Sequence, residues 1–178
     1  MAGARVLVNA RGRGNQMNAG AAVARGEVLL FVHADTRLPG GFRAALAEVL
    51  ASEGAVWGRF DLRFDHAGPL LALIARLISL RSRVFHSATC DQAIFVRRGV
   101  FEAVGGYREP LLFEDVDLVR RQRPCGGMVV PRGYAVTSSR RWRNRGILRT
   151  TLAMWALKSL YLVGVSSRRL IRYYSDER

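Results

Sequence analysis

A few short runs of this 178-residue chain carry side chains of the kinds that do chemistry. His33-Ala34-Asp35 follows an apolar stretch, and two potential ligands at i and i+2 in a loop leaving a strand can share one divalent cation. Taken alone, an Asp before a turn is more often an ordinary turn-starter. Glu114-Asp115-Val116-Asp117 opens a helix, where carboxylates favour the positive end of the dipole. One of them held beside a hydroxyl would serve as a general base, and acids this close raise one another's proton affinity. In Ser138-Ser139-Arg140-Arg141-Trp142-Arg143, clustered guanidinium groups either fork onto phosphate oxygens or form a solvated basic turn. Thr89-Cys90-Asp91-Gln92 either lines a cleft or caps a strand. Asn15-Gln16-Met17-Asn18 either faces the ligand edge of a sheet or caps its own helix. His66 and His86 are isolated and carry no assignment.

The elements that must position these runs alternate. Arg5–Asn9 reads as a strand, Gly14–Ala24 as a helix, and Val28–His33 as a continuous apolar strand of the kind buried on both faces. Phe42–Leu50 is helical. Val56–Phe64 alternates as a half-buried strand, with Trp57, Arg59, Asp61 and Arg63 on one face. Pro69–Leu80 is a helix apolar all round except for Arg76, so it must be covered by the domain, a partner or lipid. A strand at Ala93–Val96 and a helix at Arg98–Val104 end at Gly105-Gly106. Phe113–Arg123 is helical, Met128–Val130 and Ala135–Ser138 are short strands, and Gly146–Tyr174 is mostly helix. Its stripe of Leu152, Trp155, Ala156, Leu160, Val163, Leu170 and Tyr174 is amphipathic, with core packing favoured over a membrane surface. Alternation of this kind predicts an α/β fold with a mainly parallel sheet flanked by helices. In such a sheet, ligands bind outside the carboxyl ends of the strands.

Length fits one domain. Hydrophobic residues at 49% and charged residues at 24% exclude disordered, collagen-like and low-complexity chains. Cys90 and Cys125 support neither a disulfide scaffold nor a zinc ribbon. The N-terminus lacks the apolar core of a signal peptide, so a cytoplasmic chain is expected. Net charge is +14, and every basic residue except Lys158 is Arg. Between Leu118 and Ser175 there are thirteen basic residues and no acidic one, a field that draws polyanions. No nucleic-acid module spacing is present, so nucleic acid is not expected as a partner.

Read in order, GRGNQMNAGAAVARGEVLLFVHADTRLP, CDQAIFVRRGVFEAVGGYRE, FEDVDL and SSRRW resemble the family-2 glycosyltransferases, inverting enzymes of the GT-A fold. Among these the chain looks closest to a small bacterial subgroup associated with arsenosugar-biosynthesis-type clusters. The resemblance covers nearly the whole chain and implies roles residue by residue. Asp35 matches the last acid of a metal-binding D-x-D element, with His33 in place of the first; the implied cofactor is Mn or Mg. Asp115 matches the base that deprotonates an acceptor hydroxyl, with Glu114 beside it. Asp91 and Gln92 fall on the acceptor side. Arg141 and Trp142 match a basic-aromatic element near the donor diphosphate, without the fuller Q-x-x-R-W pattern, and Asn15 and Asn18 join them on the donor side.

The expected organisation is a GT-A-like catalytic domain over 1–145 and a C-terminal amphipathic helical segment over 146–178, which packs on the domain or on a membrane surface. Relatives begin with a strand–helix–strand unit that holds the nucleoside; the chain starts at what matches a later strand, so weak donor binding is expected of this form. The expected partners are a nucleotide-sugar donor, a lipid-linked or small-molecule acceptor, and peripheral contact with anionic membrane at the inner face of the cell membrane. The competing reading is a catalytically degenerate basic domain that binds anionic membrane or a protein partner.

Overall fold

In the computed structural model, which describes residues 4–9, 12–66, 68–108 and 112–174, helices and strands alternate much as the apolar periodicity predicts. Helix α1 (Arg13–Val23) leads into β1 (Val28–Leu30), and α2 (Phe42–Ala51) into β2 (Ala55–Gly58) and β3 (Asp61–Phe64). Helix α3 (Pro69–Val84) is followed by a single 3-10 turn at Cys90–Gln92 and by β4 (Phe95–Arg97). Then come α4 (Arg98–Ala103), α5 (Glu114–Gln122), β5 (Gly127–Val129), β6 (Tyr134–Thr137), α6 (Arg140–Arg145), α7 (Ile147–Leu162) and α8 (Ser167–Leu170).

The main sheet has the order β1-β4-β2-β5. Strand β4 is antiparallel to both neighbours, while β2 and β5 are parallel, so β1, β2 and β5 share one direction and β4 alone opposes it. Strands β3 and β6 form a second, parallel pair. An antiparallel bridge between Arg37 and Val136, with N–O distances of 2.8 and 2.9 Å, ties that pair to the chain leaving β1. One apolar cluster (Leu29, Phe31, Trp57, Ile94, Val96, Phe101, Leu118) fills one face of the main sheet. Another (Val49, Ala55, Phe60, Phe95, Ala135) fills the opposite face beneath α2.

Burial on both faces explains why Val56–Phe64 is not one alternating strand. The ladder breaks at Arg59-Phe60, where the chain passes from the first sheet to the second. Trp57 and Arg59, expected on an open face, are both fully buried. The Arg59 guanidinium stays solvated by protein: it donates to the Phe60 and Ser79 carbonyls at 3.0 and 2.8 Å and pairs with Asp61 at 2.7 Å. Gly58 allows the close approach of three strands there, since a Cβ would lie 2.2 Å from the Val129 carbonyl oxygen and 2.3 Å from the Phe95 ring.

Two further expectations are corrected. Residues 4–9 form no strand, and Val6 and Val8 are exposed; among the described residues no ladder runs along the outer side of β1. Of the C-terminal stripe, Leu170 is buried and Tyr174 packs beside it, but the α7 part is not core. Leu152, Trp155, Leu160 and Val163 face solvent, whereas Thr150 and Leu157 are buried and Met154 and Tyr161 pack beside Leu112, Phe113 and Val116. The helix also stops before Gly164, whose φ of 96° is left-handed, and restarts as α8. Helix α3 divides likewise: Leu71, Ile74 and Ala75 are buried, but Leu70, Leu73, Leu77 and Leu80 are exposed. No described helix is long and apolar enough to cross a membrane.

Candidate active site

The chain leaving β1 turns sharply at His33–Thr36, where the Thr36 amide donates to the His33 carbonyl at 3.0 Å. This turn presents His33 and Asp35 at the ends of the strands, beside the 3-10 turn that holds Cys90 and Asp91. That second turn is pinned by a capping box in which Thr89 and Gln92 bond each other's backbone. Across from both, α5 starts at Phe113, whose left-handed φ of 67° swings Glu114 and Asp115 inward. The fourth wall is the β6–α6 junction, held because Asp65 accepts the Ser139 amide at 2.8 Å. This bond and the His66 amide keep the Asp65 carboxyl at about 2, against the opposing pull of burial.

These walls enclose a cleft of about 180 Å³ lined by His33, Asp35, Asp91, Asp115, Arg141 and Trp142. Asp35 and Asp115, eighty positions apart, thus converge on one space. Arg13, Arg140 and Tyr174 line it as well. Asp35 is exposed at the cleft, whereas Asp115 is buried.

Asp115 is oriented by backbone. One carboxylate oxygen accepts the Cys90 amide at 2.9 Å and the other its neighbour Val116 at 2.8 Å, which leaves each oxygen a further lone pair toward the cleft. The Cys90 thiol is pushed well up by burial and by Asp115, so it is held neutral. His33 Nδ1 lies 3.3 Å from the half-exposed Asp91 carboxylate. Burial works against the imidazolium, yet the Asp91 hydrogen bond and charge outweigh it and raise the His33 pKa. Burial likewise opposes ionisation of Asp91, but His33, Arg13 and Arg141 hold it below the usual carboxylate range.

Four of the sequence candidates lie outside the lining of this cleft. Glu114 turns away to Arg13: Nε lies 2.7 Å from one carboxylate oxygen, and a second nitrogen donates to the other at 3.3 Å. Burial and the adjacent Asp115 raise its pKa despite that partner. Gln92 is fully buried and bonded to Ser82 and Thr89. Asn18 clamps the Tyr107 peptide, donating at 2.7 Å and accepting at 2.9 Å, and the Asn15 carbonyl accepts from Asn9. These residues hold the walls of the cleft.

Arg13 and Tyr174 are the site residues that sequence reading passed over, with Arg140 read only as part of a basic run. Arg13 stands in the RGRGN run, where only the amides drew notice, and Arg140 lies inside the SSRRW run already marked as basic. Nothing local marks Tyr174. It reaches the cleft through Arg141, which hydrogen-bonds its hydroxyl and lies 4.8 Å from its ring centre. Trp142 is fixed by the Phe64 ring at 4.6 Å.

For an implied divalent cation the donor set is small: among the described residues no group of three or more His, Cys, Asp or Glu side chains gathers. The residues that could hold such a cation are Asp35 and His33. Asp35 offers a carboxylate, and His33 Nε2 is buried without a partner while Nδ1 faces a carboxylate, the arrangement that orients metal-binding imidazoles.

Comparison with known proteins matches residues 2–105 to the family described as Glycosyl transferase family 2. No curated protein matches the chain.

Proposed function

The chain belongs to glycosyl transferase family 2, and on that premise we propose that it moves a sugar from a nucleotide donor to an acceptor hydroxyl in one displacement with inversion. The observation that carries this reading is the convergence of Asp35, Asp115 and Arg141 on one cleft. The donor's diphosphate lies among Arg13, Arg140 and Arg141, whose guanidinium groups match its oxygens and stabilise the charge that develops as it leaves. Asp35 and His33 would hold Mg or Mn; when bound, the cation supplies further positive charge to the leaving diphosphate. The acceptor enters from the side of Asp91 and Asp115. Its hydroxyl oxygen attacks the anomeric carbon, the bond from that carbon to the phosphate oxygen breaks, and the hydroxyl proton passes to Asp115. Burial of Asp115 keeps water away from the base. The finer resemblance to the arsenosugar-type bacterial subgroup belongs to the same reading.

The exposed apolar faces of α3 and α7, interspersed with Arg76 and Arg149, favour a second, compatible reading in which the domain rests on an anionic membrane. Donor turnover by Asp115→Asn separates the two. Loss of general-base help costs about 10²- to 10⁴-fold in turnover with donor affinity unchanged, and binding to anionic vesicles stays as in the wild type. Full turnover by Asp115→Asn would overturn Asp115 as the base, and no turnover by the wild type across a panel of nucleotide sugars would end the transferase proposal and leave only the membrane reading.

A further inference from the structure

Behind the cleft, on the far side of α5, lies a second cavity of about 640 Å³ between the C-terminal half of α3, α5 and α7. Four cations line it, Arg81, Arg120, Arg123 and Lys158, and no carboxylate among the described residues does. Two of them are not surface charges: Lys158 Nζ and Arg81 Nε are buried with no hydrogen-bond partner among the described residues. Such nitrogens are costly to the fold, because they have left water without gaining an acceptor; elsewhere on the Arg81 guanidinium, one nitrogen donates a long bond of 3.5 Å to the Ser82 hydroxyl. The mouth is of the opposite character. Val84, Phe85, Trp155 and Leu162 rim it, each more than half exposed at 61, 64, 51 and 61%.

Paired donors on the floor and an apolar collar at the opening describe the two ends of one kind of molecule. We infer that this cavity binds a phosphate monoester with an apolar tail, the phosphate held by Lys158 and Arg81 and the tail lying on Phe85, Trp155 and Leu162. An oxyanion supplies the acceptors these nitrogens lack, and charge-assisted bonds are the strong class. The collar argues against a free inorganic ion, which would leave those apolar surfaces in water. Burial and the neighbouring Arg81 lower the Lys158 pKa to about 8, so the ammonium still predominates at neutral pH. The only carboxylate whose charge reaches both cations is Asp115 on the other side of α5, and it is already engaged by two amides.

The assignment concerns binding and does not require that the protein transfer a sugar, so it is tested without donor. Full-length protein is titrated with dodecyl phosphate, inorganic phosphate and uncharged dodecyl maltoside, each below its micelle concentration, with tryptophan emission and thermal midpoint recorded. Dodecyl phosphate is expected to blue-shift the emission, and Trp155→Phe to remove the shift while leaving the thermal stabilisation. Lys158→Met is expected to weaken binding about 10- to 100-fold, the value of one charge-assisted hydrogen bond, and Lys158→Arg to retain it. The apo form of Lys158→Met should melt no lower than the wild type, since it loses an unpaired buried charge. Dodecyl phosphate binding unchanged in both Lys158→Met and Arg81→Met would overturn the site. Inorganic phosphate or dodecyl maltoside binding as tightly as dodecyl phosphate would overturn the amphiphile.

Discussion

Removing Arg13 should expose what Glu114 is for. The Glu114 carboxylate is 2% exposed and touches Asp115's neighbourhood on one side and the Arg13 guanidinium on the other. In Arg13→Met the carboxylate keeps its burial and loses its cation. Breaking a buried pair from one side costs about 3–5 kcal/mol; because the Arg13 side chain is 43% exposed and partly screened by solvent, about 2–3 kcal/mol at pH 7 is the better figure. The fold can limit this loss by binding a proton. Glu114 already sits above the ordinary glutamate value, and without Arg13 it moves further up. Between the unfolded and folded pKa the native state then holds one more proton than the unfolded chain, so stability falls as pH rises and returns as pH drops. One proton is worth about 1.4 kcal/mol per pH unit, so most of the Arg13→Met penalty should vanish between pH 7 and pH 5. Glu114→Gln should cost under about 1 kcal/mol with no such pH dependence, and Arg13→Met/Glu114→Gln should be more stable than Arg13→Met alone. Urea unfolding of the four proteins at both pH values measures this. A penalty for Arg13→Met that is the same at pH 5 and pH 7, or matched by Glu114→Gln, would show that the pair is an ordinary surface contact and the reasoning wrong.

Two other outcomes follow from the packing. Gly58→Ala drives a methyl into the Val129 carbonyl and the Phe95 ring and should cost about 3 kcal/mol or more, visible as a lower thermal midpoint. Asp65→Ala frees the Ser139 amide and should cost about 1–2 kcal/mol; in the wild type the same bonds hold the Asp65 carboxyl at about 2, so their contribution is present at neutral pH and fades as the pH falls from about 4 toward 2, a decline that chemical unfolding at stepped pH should miss in Asp65→Ala.

The helices were legible because one apolar face at helical spacing, bounded by Gly or Pro, leaves a local mark; α1 to α5 lie within a few residues of where that mark puts them. Legibility failed where burial was complete. Arg59 and Trp57 look like a solvent face until a second layer covers them, and no alternation survives in a strand buried on both sides. It failed again at α7, where apolar residues at the right spacing turned outward, because Leu157, Met154 and Tyr161 already satisfied Leu112, Phe113 and Val116. At the cleft, Asp35, Asp91, Asp115 and Arg141 stand in short runs whose chemistry is readable in place. The Arg13–Glu114 pair spans 101 positions and Arg141–Tyr174 spans 33, and no local rule foretells which distant charge will claim a given carboxylate. SSRRW hid a helix, α6, since its caps lie in the fold around it, chiefly Asp65 beneath Ser139.

The cleft draws its walls from the neighbourhoods of Arg13, Asp35, Asp91, Asp115, Arg141 and Tyr174, segments spread from near one end of the described residues to the other. Competence is therefore collective, and no excised half could carry it. During synthesis the pieces leave the ribosome one after another, and the last wall arrives with Tyr174. The nascent protein thus has no complete pocket until Tyr174 has emerged.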